Sequence, residues 1–155
     1  DGTGAAILAE LNELVEEELV RGCEPMPGAL DLLAALRAAG RPLALCSNSP
    51  RRLVDAALRS AGIAGAFDAT VAGDEVPHGK PAPDPYLAAA AALGQPPGAC
   101  VALEDSPTGI ASARAAGMLV FGVPSVPGIE LEGVADAVHP SLADPALWAA
   151  LGLSR

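Results

Sequence analysis

Val101-Ala102-Leu103-Glu104-Asp105-Ser106-Pro107-Thr108-Gly109-Ile110 is the stretch from which the rest of the chain can be read. An apolar run ends in two adjacent carboxylates, and a Ser-Pro-Thr-Gly turn then opens a helical stretch. A run of this kind is a strand buried on both faces, and the carboxyl ends of such strands form the crevice where α/β sheets bind ligands. Paired acids there suit a hard divalent cation such as Mg²⁺, which takes oxygen ligands and shares them with phosphate. The same residues admit a plainer role, since Asp105 or Ser106 can cap a helix whose first position is Pro107. On this stretch alone the two readings stand level.

Two further segments bear on the choice. Pro42-Leu43-Ala44-Leu45-Cys46-Ser47-Asn48-Ser49 is a second short apolar strand, ending in hydroxyl and amide groups just before a helix that starts near Pro50. Ser47 and Asn48 then lie at a strand tip beside the free N–H groups of a helix start, an arrangement that binds phosphate, although an ordinary N-cap has the same look. The third segment is Asp74-Glu75-Val76-Pro77-His78-Gly79-Lys80-Pro81-Ala82-Pro83-Asp84-Pro85-Tyr86. Here a lone lysine is fixed between a glycine and a proline-rich stop, whereas surface lysines are ordinarily solvated and mobile. Pro81 restricts Lys80 to extended backbone, and a cis Lys80-Pro81 bond is open to it.

A hydroxyl at one strand tip, a fixed ammonium before a helix and a carboxylate pair at a later strand tip, in that order, resemble motifs two, three and four of the haloacid dehalogenase-like hydrolases. The likeness is to the capped phosphatase and phosphoglucomutase-like branch and runs from about Pro25 to Ser125. Each motif is weak by itself, but the ordered set, with its Gly-Lys-Pro-Ala-Pro and Glu-Asp-Ser-Pro-Thr-Gly strings, is specific. The resemblance implies that Ser47 and Asn48 hold the transferring phosphoryl group and that Lys80 neutralises that group and the nucleophile. It implies further that Glu104 and Asp105 help to hold Mg²⁺, with Asp105 the better candidate for a direct ligand. Such a division is physically sensible, because phosphoryl transfer is catalysed by positioning and by stabilising spread negative charge.

The sequence departs from the family pattern at its start. Family members open with an apolar strand ending in Asp-x-Asp-Gly-Thr, whose first aspartate is the nucleophile and whose second is the general acid/base. This chain starts at Asp1-Gly2-Thr3-Gly4. Either Asp1 is the remnant of that second aspartate or the likeness is accidental, and the residues after Thr3 favour accident. They pass into Ala5–Val20, with apolar positions 7, 8, 11, 14, 15 and 19 at helical spacing. Residues 1–24 therefore read as the last part of a helical cap and its return linker, and residues 25–155 as the core domain. The nucleophile is expected upstream of the chain. In the family its strand lies between those ending at Ser47 and Glu104; a chain lacking it leaves a ladder of backbone groups unpaired. The expectation is that another segment fills that place, a second molecule by strand exchange being one source, which would make a homo-oligomer.

Composition sets outer limits. A length of 155 residues suits one domain with a sizeable core. A formal charge of −10 argues against nucleic acid or an anionic membrane as partner. Much of the acidity is Glu16-Glu17-Glu18 and its neighbours, which read as a solvated helix face. No apolar run reaches the roughly 18 residues of a membrane span, and no signal peptide is visible. Cys23, Cys46 and Cys100 have no metal-ligand spacing; Cys46 and Cys100 read as small buried hydrophobes, in keeping with a reducing cytoplasm.

The remaining pattern alternates as a doubly wound parallel sheet should, an α/β fold with a Rossmann-like core and a cap remnant. Helices are expected over about 28–39, 51–61, 85–93, 107–116 and 144–151, with Gly40, Gly62, Gly94 and Gly117 closing the first four. Strands are expected near 42–46, 69–72, 101–104 and 118–123, with a small edge strand at 137–138. His78 reads as an exposed loop residue and His139 receives no role. Asp74 is a turn former or, by resemblance, an outer-shell metal partner. Arg51 and Arg52 read as surface charges, Tyr86 and Trp148 as packing residues.

The resemblance thus implies a Mg²⁺-dependent phosphatase that hydrolyses a small phosphorylated metabolite through an aspartyl-phosphate, with a cap that excludes water and selects the substrate. Two alternatives stay open: a sugar-phosphate mutase of the same fold, and a non-catalytic phosphate-binding module.

Overall fold

The computed structural model describes residues 22–154 together with Val15 and Glu18, both helical and exposed. The expected cap helix and the Asp1-Gly2-Thr3 segment otherwise lie outside the described residues.

From Gly28 onward the chain alternates helix and strand: α1 (Ala29–Ala38), β1 (Ala44–Cys46), α2 (Arg51–Ser60), β2 (Ala69–Val71), α3 (Asp84–Ala92), β3 (Val101–Glu104), α4 (Pro107–Ala115), β4 (Leu119–Gly122), β5 (Ala137–Val138) and α5 (Pro145–Ala150). Two single 3₁₀ turns, Gly73–Glu75 and Pro97–Ala99, were not foreseen. The four glycines expected to close helices, Gly40, Gly62, Gly94 and Gly117, all take positive φ. Gly28, just before α1, needs its lack of a side chain twice over. Its φ is 85°, and a Cβ there would lie 2.7 Å from the Ala143 nitrogen.

Every strand pairing among the described residues is parallel. β1 pairs with β2 in the register Ala44↔Ala69 to Cys46↔Val71, the chain crossing over through α2. β3 pairs with β4 from Val101↔Leu119 to Glu104↔Gly122 through α4, and β4 pairs with β5. Among the described residues the strands form a two-stranded and a three-stranded sheet, and no ladder joins β1 to β3.

Three apolar clusters pack these layers. Tyr86, Ala90, Ala102, Ile110, Ala113, Met118, Val120 and Leu131 form the largest, between α3, α4 and the β3–β4 pair. Leu32, Phe121, Val123, Leu147 and Trp148 fill the opposite face under α1 and α5, and Val54, Leu58 and Ala72 hold α2 to the β1–β2 pair. Trp148 is a packing residue, as read, and its indole N–H donates to the Leu142 carbonyl at 2.8 Å. Burial of β3 is less complete than its apolar run suggests. Val101 is 43% exposed at the amino end, whereas Ala102 and Glu104 are buried and Leu103 packs against the cluster under α1 and α5. Cys46 and Cys100 are half-buried rather than enclosed, their thiols donating to the Pro85 and Pro96 carbonyls. No helix among the described residues is long and apolar enough to cross a membrane.

Candidate active site

The carboxyl ends of β1 and β3 and the loop carrying Lys80 converge. At the tip of β1 the Ser47 N–H extends the ladder by donating to the Val71 carbonyl at 2.9 Å. Its hydroxyl oxygen accepts the Ser49 N–H at 3.1 Å, which leaves the hydroxyl proton free to donate. Asn48 turns towards the lysine loop. Its carbonyl accepts the Lys80 N–H at 2.7 Å, and its NH₂ donates to the Lys80 carbonyl at 3.1 Å. The Lys80-Pro81 peptide is cis.

The Lys80 side chain crosses to β3, where its ammonium pairs with Glu104. Both groups are removed from water, the lysine side chain 13% and the glutamate 5% exposed. The Tyr86 hydroxyl donates to the same Glu104 oxygen and lies 3.5 Å from the ammonium, which also sits 5.0 Å from the centre of the Tyr86 ring. Burial first, and then the charge of Glu104, push the Tyr86 phenol far above its usual range, so it stays a donor. The neighbouring Cys46 thiol is pushed up to about 11, mainly by burial.

Glu104 lies over the amino end of α4, where the helix dipole favours an anion. Gly109 makes the room. A Cβ at that position would fall 1.9 Å from one Glu104 carboxylate oxygen. The capping role belongs to Ser106, whose hydroxyl oxygen accepts the Gly109 N–H at 3.1 Å. Asp105 is therefore not needed as the cap. It is half-buried at the strand end and, among the described residues, its carboxylate has no ion-pair or hydrogen-bond partner.

A second network backs the tip of β1. The Arg51 guanidinium grips both Glu75 oxygens (2.9 and 2.6 Å), the Thr70 hydroxyl (2.8 Å), the Thr70 carbonyl (2.9 Å) and Asp55 (3.2 Å). This holds the Glu75 carboxyl down at about 2. Asp74 accepts the Arg51 backbone N–H at 2.9 Å, so it anchors the start of α2. Arg51 is a hub between α2, β2 and the loop beyond it, not the loose surface charge its position suggested. Tyr86, read as packing, is also part of the site; being six residues beyond Lys80 across a proline-rich turn was the available signal. His78 is exposed and pairs with Asp84 at 3.1 Å. His139 is buried, bonded through Nδ1 to Asp144 at 2.8 Å, and stands away from the Lys80 cluster at the end of β5.

The structure thus brings Asn48, Lys80, Glu104 and Tyr86 into direct contact, with Ser47 and Asp105 adjoining by sequence. Among the described residues no group of three or more metal-ligating side chains assembles. One unengaged, half-buried carboxylate beside a buried ion pair fits Mg²⁺, which is commonly held by one or two carboxylates together with substrate phosphate and water. Asp105 would be its ligand, since Glu104 is engaged by Lys80 and Tyr86.

A protein-family model described as haloacid dehalogenase-like hydrolase matches residues 2–117. Among curated proteins, CbbY of Rhodobacter capsulatus is 46% identical over 103 residues, covering 64% of this chain and 45% of that protein. The fructose-1-phosphate phosphatase YqaB of Escherichia coli (strain K12) is 40% identical over 113 residues, covering 73% of this chain and 59% of YqaB. The chain spans about half the length of these relatives. Among solved structures, CbbY from Rhodobacter sphaeroides in complex with phosphate superposes with a TM-score of 0.81 at 34% identity, over 90% of this chain and 64% of that one.

Proposed function

Because the chain belongs to the haloacid dehalogenase-like hydrolase family, we propose that the natural protein is a Mg²⁺-dependent phosphatase of small phosphorylated metabolites, working in a reducing cytoplasm. The observation that carries this reading is the Lys80 ammonium, fixed between the tip of β1 and Glu104 with the unengaged Asp105 carboxylate next along the chain. Relatives named as phosphatases support it.

In the reaction, an aspartate outside the described residues attacks phosphorus in line. The ester P–O bond breaks, the leaving oxygen takes a proton from a second aspartate, likewise expected outside the described residues, and an aspartyl-phosphate forms. Water then gives a proton to that second aspartate as it adds to phosphorus, breaking the aspartyl O–P bond, releasing inorganic phosphate and restoring both carboxyl groups to their starting forms. Ser47 donates its free hydroxyl proton to one phosphoryl oxygen, and the Asn48 main-chain N–H donates to another. Lys80 donates a third, charge-assisted hydrogen bond and offsets the charge that spreads over the oxygens. Glu104 keeps the ammonium in place, and Tyr86 shares the load on the carboxylate. Held by Asp105, Mg²⁺ would neutralise the phosphate and orient it for in-line attack.

The test is release of inorganic phosphate from a panel of sugar phosphates and other small phosphate esters, with Mg²⁺ and with chelator. Lys80→Ala should lower kcat on the order of 10²-fold or more, as expected for losing a preorganised charge in the transition state. Asp105→Asn should raise the Mg²⁺ concentration needed for half-maximal rate. Isomerised sugar phosphate in place of released phosphate would make the protein a mutase. Ester binding that depends on Lys80, without turnover of any ester by the natural protein, would make it a binding module and overturn the proposal.

A further inference from the structure

We propose that Asn48 is a positioning residue for Lys80, its side-chain amide locking the main chain from which the ammonium extends. The inference rests on the hydrolase reading above and deepens it at one residue.

The first ground is hydrogen bonding. The amide carbonyl accepts from Lys80 N–H at 2.7 Å and the amide NH₂ donates to Lys80 C=O at 3.1 Å. Both partners belong to one residue, so the contact fixes the orientation of that residue as well as its distance, much as a neighbouring strand would. The carbonyl and one N–H of the amide are thereby engaged 32 positions along the chain. The direction in which the second N–H points is set by these two bonds to Lys80.

The second ground is steric. A Cβ at Gly79 would stand 2.8 Å from the Asn48 side-chain oxygen, and one at Gly73 would stand 2.1 Å from the Asn48 carbonyl oxygen. Neither glycine has positive φ. Backbone conformation therefore does not call for glycine at either place, whereas room for Asn48 does. Gly79 is cut back to admit the Asn48 side chain, and Gly73 to admit the main chain that carries it.

The third ground is geometric. Lys80 is held at both ends, its main chain by Asn48 and its ammonium by Glu104 and Tyr86. Four methylenes separate the two anchors, so a shift of the main chain displaces the charge. Asn48 itself is exposed. Its two hydrogen bonds compete with water and add little to stability, so its removal should register in the chemistry more than in unfolding.

The sequence offers a clean reporter, because Lys80 is its only lysine. Acylation by an amine-reactive ester, followed by proteolysis and mass spectrometry of the peptide that carries Lys80, reads this side chain. Asn48→Ala should speed Lys80 acylation several-fold while circular dichroism and Tm stay near wild type. Asn48→Asp keeps the acceptor for the Lys80 N–H but cannot donate to the carbonyl, and should fall between the two. In phosphatase assays Asn48→Ala should lower kcat by about 10- to 100-fold, the scale of a misplaced catalytic group, with KM changed less than about threefold. A rise in KM at unchanged kcat would show the amide contacting substrate and would overturn the inference, as would wild-type acylation rates in both variants. If the variants fail to fold, hydrogen exchange in the unaltered protein decides: slower exchange at Lys80 N–H than at Gly79 N–H supports the clamp, and equal rates refute it. Acylation and exchange do not require turnover. A protein that shows the clamp but hydrolyses no ester refutes the hydrolase reading, whereas an active phosphatase indifferent to Asn48 refutes this one.

Discussion

Gly109→Ala sets two opposed effects against each other, and the structure decides the sign. Alanine in the body of a helix is favoured over glycine by about 0.8–1.0 kcal/mol. The new Cβ, however, would stand 1.9 Å from one Glu104 oxygen and 2.0 Å from the carboxyl carbon, so the whole carboxylate has to leave. Glu104 has 5% of its side chain exposed and no slack in which to turn while staying bonded to Lys80 and Tyr86. Removing one partner of a buried ion pair costs about 3–5 kcal/mol. Taking the lower figure, because Lys80 can follow the carboxylate part of the way, and subtracting the helix gain leaves a net loss of about 2 kcal/mol. For a chain of this size that is a fall in Tm of roughly 4–8 °C. Thermal unfolding by circular dichroism measures it. The double-mutant cycle is sharper: once Glu104→Ala has removed the obstacle, Gly109→Ala should stabilise by up to about 1 kcal/mol, reversing the sign. A stabilised Gly109→Ala single variant, or the same loss with and without Glu104, would refute the argument.

The remaining pH predictions follow from named groups. Tyr86 is the only tyrosine, so its ionisation can be followed by ultraviolet absorbance without overlap from another tyrosine. Its proton is bound more tightly folded than unfolded, so this group's contribution to stability is intact below about pH 10 and falls as pH rises beyond it. Tyrosinate absorbance should appear together with loss of circular dichroism, and ionisation near pH 10 in a fully folded protein would contradict the buried contact with Glu104. Glu75 has the opposite sign. Its carboxyl is lowered to about 2 by the hydrogen bond from Arg51, so its contribution is present above the usual carboxylate range and lost as pH falls from about 4.5 towards 2. Glu75→Gln should flatten the dependence of the urea midpoint on pH across that window, and parallel curves for variant and wild type would count against the hub.

The β3–α4 junction could be read from the sequence because its signals are local. Strand run, cap and Pro107 follow one another, and the structure assigns the cap to Ser106, leaving Asp105 unengaged. The two readings of that stretch are therefore compatible. Lys80 was legible for the same reason, its neighbours Gly79 and Pro81 being adjacent in sequence. Residues whose roles depend on distant partners were not. Arg51 meets Thr70 and Glu75, 19 and 24 positions away, and nothing near Arg51 distinguishes it from Arg52 beside it. Tyr86 has an apolar ring that satisfies the helix pattern, while its hydroxyl finds Glu104 18 positions on. The Asn48 amide could be seen at a strand tip, but its partner, 32 positions away, could not. Periodicity records which face of an element is apolar and is silent about where one polar atom at its end will point.

The same distant contacts carry the architecture. Among the described residues no ladder crosses from β1 to β3. The segment between β2 and β3 supplies the connection. Its main chain is bonded to β1 through Asn48 and its ammonium to β3 through Glu104. A third tie comes from α4, whose buried Ser112 hydroxyl donates to the Ala82 carbonyl at 2.5 Å. Among the described residues, bonds to one loop with Lys80 at its centre thus tie the group proposed to hold phosphate to the group proposed to hold metal. Substitutions at Asn48, Ser112 and Gly109 all act on that tie, although none of their side chains is assigned a place on the substrate. Their effects on turnover should therefore couple to one another, whereas a substitution in the Arg51–Glu75 network, which shares no bonded group with α4, should combine additively with those at Ser112 and Gly109.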